Sequence, residues 1–127
     1  MGDIDNKKYK IWIKLMNFGH RLGCHQMYER SFSFNGYQFP LCARCTGVLV
    51  GEILAIVFII FKLILPPEVI PFLLVIMGID WFIQKIGLLE STNIRRFLTG
   101  ICGGIGLTYI YYYIIVFIIF SLMYIKK

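Results

Sequence analysis

The sequence predicts an all-α integral membrane protein with three transmembrane helices, an N-terminal amphipathic helix and a small metal-clamped β-hairpin subdomain. Hydrophobic residues make up 58% of the 127 residues and charged residues 16%, whereas soluble domains carry about 25% charged residues. Three stretches are long and apolar enough to span a bilayer. A hairpin signal also lies beside closely spaced cysteines. This composition excludes a soluble enzyme, a disordered tail and a nucleic-acid-binding module.

Residues 7–22 are predicted to form the amphipathic helix. Apolar side chains recur there with helical spacing, at Ile11, Leu15, Phe18 and Leu22. The basic side consists of Lys7, Lys8, Lys10 and Lys14. Such a helix typically lies in the membrane interface, and packing against the transmembrane helices is the alternative.

Residues 31–39 follow with a different pattern, in which apolar and polar residues alternate around Asn35 and Gly36. The Asn-Gly dipeptide adopts positive φ angles easily and is the strongest short hairpin signal. The sequence therefore predicts a small β-hairpin immediately before the cysteine pair.

The three transmembrane helices are predicted at about residues 47–65, 68–86 and 97–125. Pro66 and Pro67 separate the first two, because proline cannot continue a helix interior. The third is longer than one span requires, so it should tilt or protrude. The chain then divides into a cytosolic region at 1–46, which comprises the amphipathic helix and a zinc-knuckle-like hairpin, and a three-helix membrane domain at 47–127. Three short spans bury little surface, which favours a homo-oligomer.

Basic residues are distributed unequally between the two ends of the predicted spans. Three lie at one end, Lys62, Lys126 and Lys127. Ten lie at the other end: Lys7, Lys8, Lys10, Lys14, Arg21, Arg30, Arg44, Lys85, Arg95 and Arg96. The positive-inside rule then predicts a protein of the cytoplasmic membrane with a cytosolic N-terminus and an outward-facing C-terminus.

The cysteines near the hairpin have the spacing of metal ligands. Cys42 and Cys45 form a C-x2-C pair that can reach one tetrahedral ion, and on the cytosolic side disulfides are rare. His20 and Cys24 are four residues apart and share a face if that segment is helical. The pattern predicts a zinc site of these four ligands. His25 becomes an equal candidate if the helix ends earlier, and a redox dithiol or unliganded cysteines are the alternatives.

Several blocks of the sequence resemble one known family. They are residues 19–26 (GHRLGCHQ), 29–32 (ERSF), 39–47 (FPLCARCTG), 80–84 (DWFIQ), 90–95 (ESTNIR) and 99–100 (TG). Together they are similar to the signature of the domain-of-unknown-function family numbered 2085, which contains small prokaryotic integral membrane proteins. The resemblance covers about residues 18–104. It implies the membrane class and the choice of site residues, and it implies no activity.

Polar residues inside the spans form a second candidate site. Glu52 lies five residues after Gly47 and Asp80 five residues before Lys85, so each is about 7–8 Å deep at ~1.5 Å per residue. Ionisable groups at that depth indicate function by default, and Gln84 shares a helix face with Asp80. We therefore expect all three to take part in catalysis or transport. The structural alternatives are a helix–helix hydrogen bond for Asp80 and a hydrated or snorkelling position for Glu52.

The loop before the third span is also unusual. Ser91 or Asn93 could cap the helix, and Glu90 complements the positive helix start. Arg95 and Arg96 are unfavourable there unless an anion lies nearby. This predicts a binding site for a lipid headgroup or a substrate phosphate, with the intramembrane acids as alternative counterions. Anchoring by the positive-inside effect is the simpler alternative.

Two functions remain from these patterns. In a membrane metalloenzyme, zinc would activate water, and His25, Glu52 or Asp80 would move protons. Arg95 and Arg96 would hold an anionic small molecule or lipid from the surrounding bilayer. In the alternative, a transporter or assembly factor contains a purely structural zinc. Thiol redox chemistry is a third and weaker hypothesis, and no nucleic-acid partner is expected.

The charge distribution yields the first testable prediction. A periplasm-active reporter enzyme fused after Lys127 should be active, and a cytosol-active reporter at the same position should not, because ten basic residues oppose three. Reporter activity of cells expressing each fusion is the measurement. The reverse result would place the cysteines in the oxidising compartment and remove the argument for zinc.

Overall fold

The computed structural model describes residues 2–90 and 92–126, with side chains from residue 6 onward. It is mostly helical and confirms the predicted membrane class with its small hairpin. The described elements are α1 (Gly2–Arg21), a short 3-10 helix (Tyr28–Arg30), β1 (Ser31–Phe34), β2 (Tyr37–Cys42), α2 (Ala43–Ile60), α3 (Val69–Ile86) and α4 (Asn93–Ile125). The helices α2, α3 and α4 are long and apolar enough to cross a membrane.

Two of these helices begin four residues earlier than the sequence predicted. Cys42 is extended, with φ −64° and ψ 159°, and α2 starts immediately after it. The start of α4 is fixed by Thr92, whose side-chain oxygen accepts a hydrogen bond from the Arg95 N–H. The expectation of a cap at Ser91 or Asn93 is therefore corrected to Thr92. As a result, Cys45 lies in the first turn of α2.

The hairpin is confirmed where it was predicted. Asn35 and Gly36 form the two-residue turn, with φ angles of 49° and 80°, as a primed turn requires. Phe34 pairs with Tyr37 across the turn, and an irregularity between positions 31 and 33 shifts the register so that Ser31 pairs with Cys42. The second strand thereby delivers Cys42 directly to the start of α2.

Polar contacts fix the hairpin to α1. The Trp12 indole N–H donates to the carbonyl of Gln38 at 2.8 Å. The Gln26 amide donates to the carbonyls of Met16 and Pro40 at 2.6 and 2.8 Å.

The apolar residues predicted for the membrane-facing side of α1 stay exposed, at 47–60%. They are Ile11, Leu15, Phe18 and Leu22. Burial of this face in the membrane interface remains a prediction.

Helices α2 and α4 approach so closely that backbone meets backbone. A Cβ atom built on Gly47 would lie 2.2 Å from the carbonyl oxygen of Phe97. One built on Gly104 would lie 2.2 Å from the carbonyl oxygen of Val48. Small residues allow this close packing. In a bilayer the hydrophobic effect does not drive helices together, so close van der Waals contact between backbones stabilises the pair instead.

Tyrosines of α4 hold the connection between α2 and α3. Tyr109 is fully buried, and its hydroxyl donates to the carbonyl of Leu63. The Tyr113 hydroxyl donates to the carbonyl of Leu65 at 2.7 Å. The carbonyls of Leu63 and Leu65 lie after the end of α2 and cannot take part in its helical hydrogen bonds. The tyrosine hydroxyls satisfy them, because unpaired backbone groups are costly in a bilayer.

The glycine contacts yield a second prediction. Gly104→Ala should destabilise the helical bundle by about 1–3 kcal/mol, because the added methyl group forces the α2 and α4 backbones apart. Gly78→Ala is the matched control, since nothing lies within 4 Å of its Cβ position and alanine favours the helix by up to about 1 kcal/mol. Unfolding in detergent titrated with dodecyl sulfate measures both. Equal losses of stability would contradict the backbone contact.

Candidate metal centre and its polar surroundings

Three cysteines from different elements meet at the end of the bundle where α2 begins. Cys24 follows α1, Cys42 ends β2 and Cys45 lies in the first turn of α2. Their sulfur atoms all lie within 4.8 Å of one another. Thiolates bound tetrahedrally to zinc are ~3.8 Å apart, given Zn–S bonds of about 2.3 Å. The cluster could therefore hold a metal ion after small side-chain adjustments.

Local backbone geometry brings Cys24 into this cluster. Helix α1 ends at Arg21, and the chain then reverses through Gly23 and Gln26, whose φ angles are 82° and 47°. The backbone N–H of Cys42 donates to the Cys24 sulfur at 3.1 Å. This hydrogen bond ties Cys24 to the end of β2 and holds its sulfur beside Cys42.

Cys42 and Cys45 are also electrostatically coupled. Their sulfur atoms lie 3.2 Å apart and share a proton. The hydrogen bond to the Cys45 thiol, assisted by the backbone N–H groups of Cys45 and Arg44, lowers the pKa of Cys42 to about 5. The lowered pKa favours the thiolate form of Cys42, which is the form that binds metal or acts as a nucleophile.

The two histidines lie at different distances from the cysteines. Because α1 ends at Arg21, His20 and Cys24 do not share a helix face, and His20 is exposed outside the group of close ligand atoms. His25 lines the cavity beside the cysteines, although its nitrogens are not within that group. The zinc site with His20 as fourth ligand remains a prediction, and its premise of a continuous helix is not met.

The cysteines open onto a chamber with basic walls. This cavity of about 240 Å³ is lined by the three cysteines, by His25 and by arginines from three elements. A neighbouring cavity of about 390 Å³ shares part of the lining and adds Lys85. We call the two cavities together the basic chamber. Its basic residues are Arg30, Arg44, Lys85 and Arg96.

Asp80 lies beneath this chamber and joins all three long helices. Its side chain is only 3% exposed. Its Oδ2 accepts hydrogen bonds from Arg44 of α2 and Thr99 of α4, both at 3.1 Å. The Arg95 Nε lies 2.7 Å from Oδ1. The N–H of that group does not point at Oδ1, so the contact is an ion pair without a good hydrogen bond.

Gln84 relays the same network, one turn further along α3. Its amide nitrogen donates to Asp80, and its carbonyl oxygen accepts from Arg44 at 2.8 Å and from Arg96 at 3.1 Å. The predicted shared face of Asp80 and Gln84 is thus used to organise arginines. A direct role of either residue in catalysis remains a prediction.

The other predicted site residues are dispersed. Glu52 lines a separate cavity of about 280 Å³ on another side of Cys24 and Cys45, away from Asp80. Glu90 is exposed. Asn93 donates from its side-chain amide to the carbonyl of Ser31 at 3.2 Å, which ties α4 to the hairpin.

Ser91 and Arg95 were also predicted to belong to the anion-binding site. Ser91 lies outside the described residues. Arg95 is paired with Asp80 rather than directed into the chamber lining. The alternative prediction, in which an intramembrane acid is the counterion, therefore holds for Arg95.

Sequence reasoning missed the roles of Arg30, Arg44 and Thr99. It counted both arginines only as topology charges and did not consider Thr99 as a partner for a carboxylate. One signal was available for Arg44, since a carboxylate predicted inside a span requires a cation from a neighbouring helix. The three-dimensional pairing of positions 44 and 80 has no local signature.

Comparisons with known proteins agree with this architecture. The family model DUF2085, described as a predicted membrane protein, matches residues 24–111. An uncharacterised protein of Methanothermobacter thermautotrophicus is 42% identical over 91 residues, covering 66% of this chain and 79% of that protein. An uncharacterised protein of Methanocaldococcus jannaschii is 35% identical over 113 residues, covering 84% and 70%. No solved structure matches the chain.

The Asp80 network yields a third prediction. Asp80→Asn should lower the free energy of unfolding by about 2–3 kcal/mol, because Arg44 and Arg95 lose their carboxylate. A fully buried pair would lose about 3–5 kcal/mol, but these arginines are 19% and 38% exposed. Glu52→Gln is the control, because Glu52 makes no ion pair among the described residues. Detergent unfolding measures both variants. Wild-type stability of Asp80→Asn would contradict the network.

Proposed function

We propose that this chain, which belongs to the DUF2085 family of membrane proteins, is a membrane metalloenzyme that holds a zinc ion on Cys24, Cys42 and Cys45. Thiolates are soft ligands that select zinc among the common divalent metals. The charge distribution supports a cytosolic position for this cluster, where the thiols stay reduced.

One observation carries the enzymatic proposal over a structural one. Three cysteine sulfur atoms converge, and among the described residues no histidine, further cysteine or carboxylate joins them as a fourth ligand. A cavity opens on the same cysteines. Structural zinc sites are closed by four protein ligands, whereas catalytic sites keep one position open. The arrangement fits the second kind.

The surrounding residues then have distinct roles. Zinc would supply an activated water at its open position. His25, on the chamber wall, would accept a proton, since histidine is the most common general base. Asp80 and Gln84 act as positioning residues, because both are engaged with arginines. Glu52 is a second candidate for proton transfer, from the separate cavity.

A structural zinc is the second candidate, and a specific observation favours it. The C-x2-C pair joins the hairpin to the first turn of α2, and the Cys42 N–H contacts the Cys24 sulfur. In a closed site, His25 would be the fourth zinc ligand beside the three cysteines, after movement of the loop that contains it. The protein would then act as a transporter or assembly factor. Thiol redox chemistry between Cys42 and Cys45, whose sulfur atoms lie 3.2 Å apart, is the weaker alternative.

Metal content tests the proposal. The full chain purified in detergent under reducing conditions should contain about one zinc per chain, and Cys24→Ser, Cys42→Ser and Cys45→Ser should each lose most of it. Cys102→Ser is the matched control, because Cys102 lies on α4 outside the cluster. Elemental analysis gives the stoichiometry. Metal-free protein with a Cys42–Cys45 disulfide would instead support the redox alternative.

Coordination separates the catalytic site from the structural one. X-ray absorption of the zinc-bound protein should show three sulfur ligands and one light ligand, unchanged in His25→Ala, because the light ligand is water. Loss of the light-ligand signal or of zinc itself in His25→Ala would identify a closed four-ligand site and support the structural role.

A further inference from the structure

The basic chamber contains more positive charge than the protein neutralises. Its lining includes Arg30, Arg44, Lys85 and Arg96, and no carboxylate lines either cavity. The carboxylate beneath it, Asp80, is already shared by Arg44 and Arg95. Three of the four chamber cations are therefore without a carboxylate partner among the described residues.

Arg44 and Arg96 are held in place by hydrogen bonds, whereas Arg30 at the chamber edge is exposed. Arg96 is fixed through its Nε to the carbonyl oxygen of Gln84 and through Nη1 to Asn93, at 3.1 and 3.5 Å. Arg44 donates to the same Gln84 oxygen. Both arginines thus converge on one neutral acceptor that orients them. Arg44 is also paired with Asp80, whereas Arg96 has no carboxylate within ion-pair distance among the described residues.

A buried donor points to a missing acceptor. The Nε of Arg44 is buried and has no hydrogen-bond partner within the part of the chain that the structure describes. A buried charged donor without an acceptor is costly. Arg30 and Arg44 also lie close enough to Arg96 to repel it electrostatically. An anion in the chamber would reduce the repulsion among these three arginines.

We infer that the basic chamber binds the phosphate group of an anionic ligand through Arg30, Arg44 and Arg96. Guanidinium groups match phosphate oxygens with paired hydrogen bonds. The cavity beside the cysteines, about 240 Å³, is smaller than the roughly 300–1,000 Å³ of sites for drug-sized ligands, so it suits one phosphate-sized group. This inference names the ligand class of the proposed enzyme. Only the role of the phosphate compound as a substrate rests on the proposed function, because the arginines bind the phosphate group without the metal.

Two sources can present such a group. The chamber lies where α2 and α4 begin and α3 ends, which is the level of lipid headgroups if these helices span the bilayer. A phosphomonoester lipid could enter with its headgroup from the side, and free phosphate or a soluble phosphoester could enter from water. Both would use the same arginines.

Titration calorimetry on the full chain in detergent distinguishes the sources. Inorganic phosphate and dihexanoyl phosphatidic acid are the two probes, and dihexanoyl phosphatidylcholine is the lipid control. Arg30→Gln and Arg96→Gln should each weaken binding about tenfold or more, the effect of losing one charge-assisted hydrogen bond. Arg21→Gln removes the same charge from the exposed end of α1, outside the chamber lining, and should leave affinity within about twofold.

Each outcome has a defined meaning. Binding of both anions supports the site, and binding of phosphatidic acid alone assigns it to a lipid. Equal affinity of wild type, Arg30→Gln and Arg96→Gln, or no binding of either anion, overturns the inference. Zinc content and thermal unfolding of each variant show that it is folded. Wild-type protein stripped of zinc by a chelator should still bind the anion, so failure of the metal proposal is separable from failure of the anion site.

Discussion

One buried carboxylate determines how the three long helices meet. Asp80 is 3% exposed, and a charge at that position is tolerated only if cations and donors surround it. The structure supplies Arg44 from α2 and both Arg95 and Thr99 from α4. Because each contact comes from a different place in the chain, the three helices are registered against one another at this end. The cysteine cluster, the chamber and the hairpin contacts all lie at that end.

Arg44 couples this network to the cysteines. It is one of the two residues between Cys42 and Cys45, so the geometry that brings the two sulfurs together also directs a guanidinium toward Asp80. The extended conformation of Cys42 and the helical turn that follows it serve both purposes. Any shift of the cysteine pair would therefore move a cation of the buried network, and any loss of Asp80 would loosen the cysteine pair.

The two ends of the bundle consequently differ in character. At one end, α2 and α4 pack through glycines and the polar network surrounds a chamber with ligand atoms on its walls. At the other end, tyrosine hydroxyls satisfy the carbonyls of the α2–α3 connection, and apolar side chains are exposed to the bilayer that the sequence implies. The cysteine cluster and the proposed metal and anion sites all lie at the first end.

The sequence by itself determined the features that depend on local chemistry. Composition predicted the membrane class, Asn35 and Gly36 predicted the hairpin, and the C-x2-C spacing predicted two members of the cysteine cluster. Only the tertiary structure decided where α1 ends, and hence that His25 rather than His20 lies beside the cysteines. It alone paired position 44 with position 80. Periodicity and spacing report on neighbours along the chain, whereas ion pairs between helices depend on packing distances that no short segment encodes.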